Sequence, residues 1–74
     1  MEKMTMFEEF IFWLSKNRRK FTIYTEGLSG PRMYKQGKYT FIEAAADLVI
    51  ITSKNFRYKA NNIDDVIRLA TAIK

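Results

Sequence analysis

Seventy-four residues with no cysteine and no histidine must fold on apolar packing alone. No disulfide can restrain the unfolded chain, and no Cys/His set can hold a structural zinc. A domain this short buries only about 60–65% of the surface its unfolded chain exposes. The buried side chains must therefore be large. Eleven aromatics supply them, in a chain that is 47% hydrophobic. Each can remove about 150–250 Å² from water. That suffices for one small core and argues against disorder. Residues 1–74 are read as one small globular domain.

Hydrophobic periodicity orders the elements. Phe7, Phe10, Ile11 and Leu14 follow the i, i+3, i+4, i+7 spacing of one buried helical stripe, which predicts a helix over 6–17. Thr5-x-x-Glu8 reads as its capping box. Asn17-Arg18-Arg19-Lys20 closes it with cations where the helix dipole favours them. Residues 21–25 alternate in period two and are β-branched or aromatic, the pattern of a strand. Gly27-Leu28-Ser29-Gly30-Pro31 breaks that strand into a loop. Residues 32–36 form a weaker strand, Gly37 punctuates it, and 38–42 resume the extended pattern.

Residues 40–47 support two assignments. Thr40-x-x-Glu43 followed by alanines favours a helix, whereas Tyr39-Thr40-Phe41-Ile42 favours a strand. The strand is taken, through about Glu43. Residues 48–52 are nearly all apolar, as in a central strand covered on both faces. Residues 56–60 alternate again, so 48–60 reads as a hairpin. Asn62 then caps a last helix, with Asp64 and Asp65 in its first turn and Ile63, Val66, Ile67, Ala70 and Ile73 as its stripe. The expected fold is α+β: a two-layer sandwich in the order α-β-β-β(-β)-α, an antiparallel sheet with both helices on one face.

In order and length this resembles the double-stranded RNA-binding domain, and Gly30-Pro31 falls where that family often has Gly-Pro. The resemblance implies three strands and phosphate-gripping lysines at the start of the last helix. This chain has Asn61-Asn62-Ile63-Asp64-Asp65 there, and two carboxylates repel a phosphate backbone. It is not assigned to the family.

The inventory removes most catalytic chemistry. A His-dependent triad cannot be built, nor can a cysteine nucleophile act. Gly27-Leu28-Ser29-Gly30 is a bare GxxG between strands, explained by turn geometry. Glu8–Glu9 and Asp64–Asp65 sit in first helical turns, where the dipole accounts for them without a metal or an acid–base role. No catalytic residue, metal site or cofactor is expected. Absence of cysteine fits a cytoplasmic protein. The longest uncharged apolar runs, 10–14 and 48–51, fall far short of the ~20 residues of a membrane helix, so no membrane partner is expected.

What remains is binding. Net charge is +5, and thirteen Lys and Arg residues interleave with the aromatics. Such mixing suits a stacking platform for unpaired bases. Alternation along the strands would place Tyr24, Arg57 and Lys59 on the open sheet face, with Arg32 and Tyr34 from a neighbouring strand. Lys35 joins that set, and Arg18, Arg19 and Lys20 add a flank. The first expectation is therefore a small, non-enzymatic, stoichiometric binding protein acting on a nucleic acid or nucleoprotein complex. The plainer alternative is a solvated face whose cations block edge pairing.

A second expectation rests on apolar residues left over. Phe12 lies about 140° from Phe7 around the helix, off the buried stripe. With Trp13 and Met6 it would form an apolar collar fit for a protein partner. If one sheet face is open, two residues of 48–51 lie on it, and Val49 and Ile51 are taken as that pair. That chemistry suits a docking inhibitor or adaptor of the phage or mobile-element type that blocks a host protein, or a homodimer.

Overall fold

The computed structural model describes residues 4–18 and 20–73. Helix α1 spans Met6–Asn17. The capping box forms: Glu8 N donates to Thr5 Oγ1 at 3.2 Å, and Thr5 N donates to Glu8 Oε1 at 2.8 Å. Two orphan amides are thereby satisfied where the helix begins. Phe7, Phe10 and Leu14 are fully buried, and Ile11 packs beside them. Arg18 turns extended and ends the helix, its N–H bonded to Leu14 O.

Five strands follow: β1 (Ile23–Thr25), β2 (Arg32–Gln36), β3 (Tyr39–Ala45), β4 (Leu48–Ser53) and β5 (Phe56–Ala60). They form one antiparallel meander in the order β1-β2-β3-β4-β5. Helix α2 (Ile63–Ala72) closes the chain. The α+β class, the antiparallel sheet and the helix–sheet–helix order are as expected, and the helices pack on each other and on the sheet. Five strands rather than three or four arise because Gly37 does more than punctuate. Its φ is 60°, and among the described residues no non-glycine has a positive φ, so Gly37-Lys38 makes a two-residue type II′ turn. That turn splits 32–45 into two paired strands, and the three-strand count of the RNA-binding resemblance does not hold.

The 40–47 segment is strand as far as Ala45, two residues beyond expectation. Phe41 drops into the core at 0% exposure and Glu43 pairs with Arg32, so the ladder overrides the helix preference of the alanines. The register shifts between Glu43 and Ala45, a bulge centred on Ala44. Strand β1 is shorter than expected. Phe21 precedes it yet still packs against the core.

Ladder partners Tyr34, Phe41 and Ile51 make one continuous row beneath the helices. Phe10 lies on it, 5.0 Å from the Phe41 ring and 5.6 Å from the Tyr34 ring. Val49, Ala60, Val66 and Ala70 complete the core. Strand β4 is covered on one face only, not two: Val49 and Ile51 are buried, while Leu48 and Ile50, which alternate with them, are partly exposed.

Helix α2 has no basic residue in its last turn. Other elements satisfy its terminal carbonyls instead. Gln36 Nε2 donates to Ala70 O at 2.9 Å and to Ile73 O at 2.8 Å, and Arg18 donates to Ala70 O at 3.2 Å. Among the described residues no helix is long and apolar enough to cross a membrane.

Candidate binding face on the open side of the sheet

The strand ladder sets two parallel rows on the side away from the helices. The first row runs Tyr24, Met33, Ile42, Ile50, Lys59, each residue the register partner of the next. The second runs Lys35, Thr40, Thr52, Arg57. Rows two residues apart along a strand lie about 6.7 Å from each other, and neighbouring strands about 4.8 Å apart. One row is therefore aromatic and aliphatic with a cation at its end. The other is hydroxyl-bearing with a cation at each end.

Tyr24 is 46% exposed, and Lys35 Nζ sits 5.6 Å from its ring centroid. Lys35, Arg57 and Lys59 are exposed, and Met33, Ile42 and Ile50 are half-buried by their neighbours. The acids lie elsewhere. Glu8 and Glu9 are on α1, Asp64 and Asp65 on α2, Glu43 on the covered side of β3, and Glu26 and Asp47 in turns. Neither row contains a carboxylate, and none of the ion pairs among the described residues engages Lys35, Arg57 or Lys59.

Tyr24, Lys35, Arg57 and Lys59 thus share the open face, the first two near one edge and the last two at the other. Arg32 does not join them. It faces the helices, bound twice to Glu43, 3.8 Å from Glu8 and 5.6 Å from the Phe7 ring. Tyr34 is also on the covered side, 5% exposed, its hydroxyl donating to Gln36. One position decides both: Lys35 points outward, so its neighbours point inward. Arg18 folds against α2 and Trp13, with its Nε buried and lacking an acceptor. It packs, rather than standing ready for an anion. Lys20 is exposed beside the core, and Arg19 lies outside the described residues.

The residues expected to face a protein partner are mostly used in folding. Met6 is buried, and Trp13 stacks on Phe10 at 6.0 Å and packs on the core. Val49 and Ile51 have 0% exposure, which corrects their placement at an interface. The outward member of that run is Ile50. Phe12 alone of the five remains open, 54% exposed with Lys16 4.5 Å from its ring centroid.

The apolar centre of the face, Met33, Ile42 and Ile50, escaped the sequence reading. Its signal was the period-two alternation within each strand, which becomes a patch only once the register is known. A groove of about 680 Å³ was also not foreseen. It opens at the end of α2, lined by Tyr39, Phe56, Leu69 and Ile73 beside Lys38. Phe56 and Tyr58 face the helix side but are only partly covered, because α2 overlies the edge strand thinly. Tyr58 donates to Asp65 Oδ2 at 3.0 Å, and that hydrogen bond to a carboxylate pushes its phenol above the usual range. Among the described residues no three acids gather to hold a metal ion.

No protein-family model, curated protein or solved structure matches this chain.

Proposed function

We propose that this chain is a non-enzymatic binding protein that engages a nucleic acid, free or within a nucleoprotein complex, through the open face of its sheet. The observation that carries the reading is an open face whose two rows hold no acid, with Lys35 beside the exposed Tyr24 ring at one edge and Arg57 and Lys59 at the other. A polyanion gains from every unneutralised cation it meets and meets no opposing carboxylate. Four of the seven described acids sit on the two helices and none on either row, so the rows attract an approaching polyanion.

Salt tests the reading. Each phosphate neutralised releases condensed counterions, so affinity falls steeply as salt rises. Contact of its three cations with about three phosphates gives a log–log slope near −2.7 on a duplex and near −2.1 on a single strand. Replacing Lys35, Arg57 and Lys59 with Gln together should flatten that slope. Binding that is flat from low to physiological salt, or absent, rules the reading out.

A protein-docking mode keeps one specific support, the exposed Phe12 ring on α1. Phe12→Ser abolishes that mode and leaves salt-dependent binding intact.

A further inference from the structure

The open face is not uniformly basic, and its pattern selects among nucleic acids. Its cations stand at the ends of the two rows, and its centre is Met33, Ile42 and Ile50. A ligand laid across the strands meets an apolar row and, about 6.7 Å beside it, a row of hydroxyls and cations. The apolar row gains only if something apolar covers it, because burying aliphatic surface against a charged group leaves that charge desolvated. A duplex turns phosphates and grooves outward and hides its base faces in the stack. An unpaired strand offers both partners at once: base faces on one side, phosphates on the other.

Building on the nucleic-acid reading above, we infer that the ligand is single-stranded and crosses the sheet perpendicular to the strands. Its bases lie along Tyr24, Met33, Ile42 and Ile50, and its backbone follows Lys35, Thr40, Thr52 and Arg57. Tyr24 is the stacking ring, and its hold on a base is sequence-tolerant because every base has a π face. Lys35, poised over the same ring, takes the phosphate beside that base. From Lys35 on β2 to Arg57 on β5 is three strand steps, about 14 Å, so the site spans only a few nucleotides. One feature favours nucleic acid over an acidic protein helix as the occupant: two of the three cations are lysines, and lysine is depleted at protein interfaces.

The test is fluorescence anisotropy with a labelled, unstructured oligonucleotide of about 16 nucleotides, alone and annealed to its complement. The single strand should bind at least tenfold tighter than the duplex. Tyr24→Ala should lose about tenfold on the single strand with its salt slope unchanged. Ile50→Ser should weaken the same complex and spare the duplex. Arg57→Gln should instead lower the single-strand slope by about 0.7. Thermal melts confirm that each variant is folded, and the three substitutions sit at separate exposed or half-exposed positions. Equal affinity for both forms, with Tyr24→Ala and Ile50→Ser silent, overturns the single-strand inference and leaves the polyanion reading standing. Binding to neither form at low salt overturns both, as does an acidic protein partner held through Tyr24 after nuclease treatment without any oligonucleotide binding.

Discussion

Arg32 grips Glu43 with two prongs across the β2–β3 pair, Nε to Oε1 at 2.8 Å and Nη2 to Oε2 at 2.6 Å. The pair lies under the start of α1, where Thr5 Oγ1 also donates to Glu43 at 3.4 Å. A helix cap and a sheet ion pair thereby share one carboxylate. Hydrogen bonding from Arg32 holds that carboxyl below its usual range, and partial burial only partly opposes it.

Acid should therefore weaken the fold through Glu43. Its folded-state value lies below the unfolded one, so its stabilisation is complete above the ordinary carboxylate value of about 4.3. It is lost as pH falls through the folded value. Glu43→Gln should cost about 1–2 kcal/mol at neutral pH. Urea midpoints of the two proteins should converge as pH falls below the ordinary carboxylate range. Curves that remain parallel to the lowest pH would count against the pairing.

Ile50 and Ile51 are adjacent and point to opposite faces. Ile51→Ala empties a fully buried site and should cost about 2–5 kcal/mol. Ile50→Ser should cost clearly less, about 1 kcal/mol, since its side chain is already partly exposed. Denaturant unfolding of both variants measures the contrast, and equal losses would mean the open face is covered.

Gly30 has no room for a side chain. A Cβ there would lie 1.8 Å from Glu26 O, so Gly30→Ala must displace backbone between β1 and β2. The expected loss exceeds about 2 kcal/mol. At Gly37 the obstacle is the left-handed φ of 60°, worth about 1–2 kcal/mol in Gly37→Ala. For a domain of this size each kcal/mol lowers Tm by about 4–8 °C, so calorimetry separates the two.

Both helix starts depend on one side chain. Thr5→Ala and Asn62→Ala should each cost about 1 kcal/mol. Amide exchange localises the damage. The Glu8 amide should quicken in the first variant and the Asp65 amide in the second, each having lost its acceptor.

Local patterns made much of the fold legible. Thr5 and Glu8 announce the first helix because their two hydrogen bonds close within four residues. Asn62 does the same for the second. Tyr24, Arg57 and Lys59 were found because outward direction follows from alternation inside one strand, whereas Lys35 was named for its charge beside Arg32 and Tyr34, the residues alternation had placed outward. Arg32 and Tyr34 were misplaced because the phase of β2 hangs on its turn to β3. A one-residue change of phase flips every side chain to the other face.

Taken alone, the amino-acid order settled where helices start, where strands alternate, and that no thiol or imidazole chemistry can occur here. These are properties of neighbours along the chain, and short-range hydrogen bonds and steric preference enforce them. Only the tertiary structure decided that Val49 and Ile51 go inward while Ile50 goes out. Only there do Met33, Ile42 and Ile50 meet, and only there does Arg32 spend its charge on Glu43. Those outcomes depend on pairing between residues distant in sequence, and register across strands is set by burying one face against two helices.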